Sequence, residues 1–311
     1  MHRGPALLAA LAVLGATLLS GCAPSARAEA RAQGRLLVVT SAYPLQFVAE
    51  RVGGTRTDVV DLARPGAEPH ELELSPRGVA AVEDADLVVY IAGFQPAVDE
   101  AVASSAQGRA LDVAPAARLD LAPPEEDDHD HAGHSSSEEG GALDPHFWLD
   151  PARLADVADA VAGRLAQVSP ADAGRFRANA GALRKDLTAL DDDMRSGLAT
   201  CRSRSLVTGH EAFGYLARRY DLQQVGVTGL DPEAEPDAAA LARVAEFVRS
   251  EGVRVVYTET LASPAVARAL AAETGARTAV LDPLESRPDT GDYLSAMRAD
   301  LAVLRAGQGC S

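Results

Sequence analysis

Lysine is nearly missing from this 311-residue chain: of its 29 basic residues only Lys185 is a lysine. Alanine is abundant, and the two biases together read as genome composition rather than function. Basic residues are also few beside 45 acids, which leaves a formal net charge of -16. A protein that binds a phosphate backbone wants a basic surface, so nucleic acid is excluded as a partner. No H-E-x-x-H occurs, which removes the commonest signature of a zinc hydrolase. After the N-terminus no stretch is long and apolar enough to span a bilayer. Charged residues make up 24%, against both overall disorder and a polytopic membrane protein. The 47% that are hydrophobic suffice for one large core or two medium ones.

The first residues read as an address. Arg3 gives a positive start, and Ala6 to Leu19 is almost wholly apolar but too short for an ordinary spanning helix. Leu19-Ser20-Gly21-Cys22 resembles a bacterial lipobox, which implies a signal peptide over 1–21 and a lipid on Cys22. Residues 22–33 lack a hydrophobic period and are expected to be a tether. Cys201 and Cys310 then remain, and export permits a disulfide between them; two free buried thiols are the alternative.

The rest alternates strand-like and helix-like segments. Arg35 to Thr40, Thr57 to Asp61, Leu87 to Ile91 and Ala110 to Val113 read as strands of a first half. Ser205 to Thr208, Gln224 to Val227, Val253 to Thr258 and Thr278 to Leu281 read as strands of a second. The helices between them argue for a parallel sheet in each half. From Pro170 to Ala199 apolar residues recur at three- and four-residue spacings, predicting one long helix that bridges the halves. The expected fold is therefore α/β with two lobes, each a mainly parallel sheet flanked by helices, joined by one long rigid helix. Its parts are an N-terminal lobe at 34–168, the linking helix at 169–199 and a C-terminal lobe at 200–311. Within the first lobe, 123–142 is acidic and almost devoid of apolar residues, and is expected to be a mobile loop. It carries His129, His131 and His134.

Four positions stand out for chemistry. His70 follows the second strand, His146 precedes a helix, His210 follows the strand ending at Thr208, and Asp282 follows the last strand. Taken singly each has an ordinary explanation: a solvated loop histidine, two capping or hydrogen-bonded histidines, and an aspartate that forms a turn before Pro283. Taken together they are more informative. Three follow strands on the same side of their sheets, where open α/β folds bind ligands. Two come from each half, so a site built from them lies between lobes.

The segments P-H-E-L-E-L-S-P, D-P-H-F-W-L-D-P, T-G-H-E-A-F-G-Y-L-A-R-R-Y and L-D-P-L carry a resemblance. Their order and spacing are similar to those of metal-binding lipoproteins that serve ABC-type uptake systems, above all the zinc branch, the ZnuA-like members of the ZnuA/TroA-like family. The resemblance runs from about Arg35 to the C-terminus. It implies two α/β lobes on one rigid helix with a metal in the cleft, no catalysed reaction, a membrane permease as partner and an extracytoplasmic, lipid-anchored, monomeric protein. It also implies His70, His146, His210 and Asp282 as ligands, with Glu68 or a water as rivals for the fourth place. Manganese-type members carry glutamate at the third position, where this chain has His210. Three imidazoles and one carboxylate suit tetrahedral Zn2+, whereas manganese prefers more oxygen. Glu259 is either a partner that orients a histidine or a solvated acid at a strand end.

Zinc members often carry a histidine-rich insertion where the acidic loop lies. His129, His131 and His134 are thus expected to collect metal weakly, with an inert linker as the alternative. Two other classes compete with uptake. A secreted zinc hydrolase would need an open coordination position and a base, for which Glu211 or Glu68 would serve. A surface adhesin with a structural metal is expected to unfold when that metal is stripped.

Overall fold

The computed structural model describes residues 25–122 and 143–311. The signal segment with Cys22 and the acidic loop with His129, His131 and His134 lie outside the described residues.

Two four-stranded parallel sheets repeat one topology. In the first, β1 (Leu36–Thr40), β2 (Thr57–Asp61), β3 (Leu87–Tyr90) and β4 (Ala110–Asp112) take the order β2-β1-β3-β4. In the second, β5 (Ser205–Thr208), β6 (Gln223–Gly226), β7 (Val255–Glu259) and β8 (Arg277–Leu281) take the order β6-β5-β7-β8. The register pairs Leu36 with Thr57 and Val255 with Arg277. In each sheet the chain moves one way from the first strand and then returns to its other side. That reversal leaves a crevice at the C-terminal strand ends, where ligands bind in such sheets.

Helices cover the sheets. In the first lobe they are α1 (Ala26–Ala32), α2 (Tyr43–Gly53), α3 (Pro76–Asp84), α4 (Pro96–Ser105), α5 (Ala114–Ala117) and α6 (Pro151–Val168). Several begin on residues legible as starts. Ser75 accepts the Gly78 N–H, Asp150 accepts the Ala152 N–H, and a proline follows each. Next comes α7 (Ala173–Leu198), 26 residues and so about 39 Å long. Phe176, Ala180, Leu183, Leu187, Leu190, Met194 and Leu198 form its buried stripe. It packs on α6 and on α11 (Tyr293–Gln308). The remaining helices, α8 (Gly214–Arg219), α9 (Ala238–Ser250) and α10 (Ala265–Thr274), belong to the second lobe. Among the described residues no helix is long and apolar enough to cross a membrane.

One hydrophobic cluster runs through both lobes and α7, from Val38 and Trp148 to Leu281 and Leu304. Cys201 and Cys310 are disulfide-bonded, which ties the end of α11 to the segment after α7.

Residues 26–32, expected as tether, instead form α1 and dock on the first lobe. Ser25 caps the helix and Ala30 is fully buried. Arg27 and Arg31 donate to Asp86 Oδ1 at 2.7 and 2.6 Å, and Asp86 Oδ2 accepts the Leu37 N–H. Burial alone would raise the Asp86 carboxyl. The hydrogen bonds from Arg31, Leu37 and Arg27 outweigh that and hold it below its usual range. An Ala/Arg sequence has strong helix propensity without needing an apolar stripe.

Candidate metal centre

Four side chains converge where the lobes face each other. His70 lies in the loop after β2, and His146 immediately precedes the 3-10 turn Phe147–Leu149. His210 follows β5, and Glu285 lies in the loop after β8. One ligand atom from each lies within 4.8 Å of the other three. Glu285 Oε1 is 3.2 Å from His70 Nε2, 3.0 Å from His146 Nε2 and 3.4 Å from His210 Nε2. His70 Nε2 and His146 Nε2 are 3.2 Å apart. A tetrahedron with Zn–N and Zn–O bonds near 2 Å has edges of about 3.3 Å, so these spacings fit such an ion. His146, His210 and Glu285 are buried, and His70 keeps a small exposed edge against the Phe94 ring.

The fourth position is a correction to the sequence reading. Asp282 points elsewhere: its Oδ1 accepts the Leu284 N–H at 2.9 Å and the Thr260 hydroxyl at 3.0 Å. It shapes the turn that brings Glu285, three residues later, into the cluster. Glu68 stays at the rim, where its carboxylate accepts the His70 and Glu71 backbone N–H groups, with Oε1 3.8 Å from His70 Nε2. Glu211 is not in the cluster.

The three histidines are each held by a specific neighbour. Asp144 Oδ1 accepts both the backbone N–H and Nδ1 of His146, at 2.8 Å each. Glu259 accepts the His210 N–H through Oε1 and its Nδ1 through Oε2. With Nδ1 protonated and bonded, the Nε2 lone pairs of both rings face inward. His210 Nε2 is buried without a hydrogen-bond partner, which a cation would satisfy. Gln95 is buried and donates from Nε2 to Pro69 O and Ser41 O, fixing the chain next to His70. Asp144 and Gln95 were not singled out from sequence. Asp144 had a signal, since an aspartate two residues before a histidine can turn back on its N–H; Gln95 had none.

The electrostatics follow from burial and pairing. Burial alone would depress the His210 imidazole, but Glu259 and Glu285 outweigh it and push the pKa up to about 10. His146 is raised in the same way, burial opposing and Asp144 with Glu285 prevailing. Burial would raise Glu285, yet the imidazoles of His146, His210 and His70 around its carboxylate hold it well below the usual carboxylate range. The cluster therefore stores protons that a metal must displace.

Residues 38–307 match the family model described as "Zinc-uptake complex component A periplasmic". The "Zinc-binding protein AdcA" of Streptococcus pyogenes serotype M1 is 34% identical over 289 residues, covering 88% of this chain and 56% of that one. Against such streptococcal relatives the chain spans little more than half their length. The "High-affinity zinc uptake system protein ZnuA" of Bacillus subtilis is 33% identical over 296 residues, 93% of each. Among solved structures, the Zn(II)-bound ZnuA-like domain of Streptococcus pneumoniae AdcA superposes with a TM-score of 0.71 at 32% identity, covering 88% of this chain and 99% of that one. Family model, relatives and fold agree, and the chain belongs to the family of the periplasmic A component of zinc-uptake complexes.

Proposed function

We propose that this protein captures Zn2+ outside the cytoplasm between His70, His146, His210 and Glu285, and delivers it to an ABC-type membrane permease. One observation carries the reading: three imidazoles and one carboxylate bring a ligand atom each within 4.8 Å of the others, with Glu285 Oε1 3.0–3.4 Å from the three Nε2 atoms, close to the edge of a zinc tetrahedron. Four protein ligands fill that tetrahedron and leave no open position for an activated water, which favours capture over hydrolysis. The set has three nitrogens and one oxygen, which favours zinc over manganese. The zinc named in the descriptions of the relatives supports the same cargo. On this reading the lipobox Cys22 anchors a monomer to the outer face of the membrane, and His129, His131 and His134 collect metal weakly. The boundaries 34–168, 169–199 and 200–311 describe its lobes and linking helix.

The test is a zinc titration of untagged protein against a chelator of known affinity. One tight zinc per chain is expected, lost in Glu285→Ala and kept in Asp282→Asn. A tight site that survives Glu285→Ala would overturn the ligand assignment. Absence of tight zinc in the wild type would overturn the function.

A further inference from the structure

Glu285 belongs to the second lobe by sequence, but the residues around it bond to the first. Pro283 O accepts the Trp148 indole N–H at 2.8 Å. Ser286 Oγ accepts the Gly66 N–H at 2.7 Å, from the loop that carries His70. Arg287 donates to Glu50 Oε1 at 2.6 Å and lies over the Tyr43 ring at 5.4 Å, both on α2. The start of the loop is fastened to its own lobe, through the Asp282 N–H to Asp300 and Asp282 Oδ1 to Thr260. Between these fastenings Leu284 has φ 58°, a left-handed conformation that a leucine disfavours and that surrounding contacts must hold.

We infer that the first lobe positions the fourth ligand: Ser286 and Arg287 are positioning residues that aim Glu285 at the three histidines. The inference rests on the proposed zinc site. The links act in series with the His70 loop, because Gly66 and His70 share it. The ligand from the second lobe is therefore presented only while the loop is fastened across the cleft. Arg287 also lines, together with Gln46, Asp61 and Arg64, a cavity of about 160 Å³ that reaches Glu285. Freeing its side chain would open that ligand to solvent.

The experiment is a double-mutant cycle on the full chain. It compares wild type, Ser286→Ala/Arg287→Ala, Glu285→Ala and the triple variant. Zinc affinity is read by chelator competition, and the melting temperature of each metal-free protein is read alongside. Removing the links is expected to weaken zinc by about 10- to 100-fold, as for other changes behind a metal ligand. The exposed Arg287–Glu50 pair contributes little to folding, so the metal-free melting temperature should scarcely move. In the Glu285→Ala background the same pair of changes should cost nothing further. Unchanged affinity in Ser286→Ala/Arg287→Ala while Glu285→Ala loses zinc would overturn this inference alone. So would an equal loss in the Glu285→Ala background. Full affinity in Glu285→Ala would overturn the ligand set and the inference together.

Discussion

His210 and Glu259 are joined twice, one carboxylate oxygen accepting the backbone N–H at 2.9 Å and the other the ring Nδ1. Ring orientation and tautomer are thereby fixed by a single side chain at the end of β7. Glu259→Gln keeps the shape but loses the charge that favours the Nδ1–H form. Zinc affinity should fall by about 10- to 100-fold, the usual cost of losing a carboxylate behind a histidine ligand. Chelator competition checks it, and wild-type affinity in Glu259→Gln would sink the role.

His210→Ala removes a ligand outright. Zinc sites of this kind carry roughly 10–16 kcal/mol in all, so the loss should be several kcal/mol, or orders of magnitude in affinity. Replacing His129, His131 and His134 together by alanine should lower only the number of weakly held zinc ions. A triple variant without tight zinc, beside a His210→Ala protein that keeps it, would reverse the assignment.

The pH dependence should have opposite signs with and without metal. His210 is raised from 6.5 to about 10 by its carboxylates, against burial. Its contribution to the metal-free fold is fully present below about pH 6.5 and is lost as pH rises through about 10. Asp61, raised to about 7 mainly by burial, acts in the same direction at lower pH. Zinc binding expels the imidazole protons, so apparent affinity should rise over the same window. Melting temperatures between pH 6.5 and 9.5 should therefore diverge, falling for the metal-free protein and holding or rising with excess zinc. Parallel curves would contradict the proton-linked site.

The Cys201–Cys310 bond closes a loop with a sequence separation of 109. The chain-entropy estimate for that length is about 4–5 kcal/mol, an upper figure. Cys201→Ser/Cys310→Ser should lower the melting temperature by roughly 10 °C. Thiol counting under denaturing, non-reducing conditions on exported wild-type protein should find neither sulfur free.

The sheets and the three histidines were legible because their signals are local. Continuous apolar runs mark strands buried on both faces, His210 comes just after the buried strand β5, and His70 lies in the turn-rich loop after β2. Glu285 was not legible. Which side chain turns inward after Asp282-Pro283 depends on the left-handed Leu284 backbone and on Trp148, Gly66 and Glu50, all far away in sequence. Helix α1 was missed for a similar reason. The acid that receives Arg27 and Arg31, Asp86, stands more than fifty positions further along the chain. Gln95 gave no hint, since its value lies in reaching the Pro69 carbonyl across the crevice.

On the proposed function, the apolar cluster that passes unbroken from one lobe through α7 to the other limits how zinc could leave. A wide clamshell motion would have to pull that cluster apart. Exposing about 400 Å² of apolar surface costs about 10 kcal/mol, as much as the whole margin by which a typical domain stays folded. Thermal fluctuation would reach so open a form too rarely to support turnover. The cluster favours exchange through a few loop residues at the crevice changing places while the frame stands still. The loaded and empty forms should then be almost the same size in solution, so a docking partner would have to tell them apart by the local surface around the crevice.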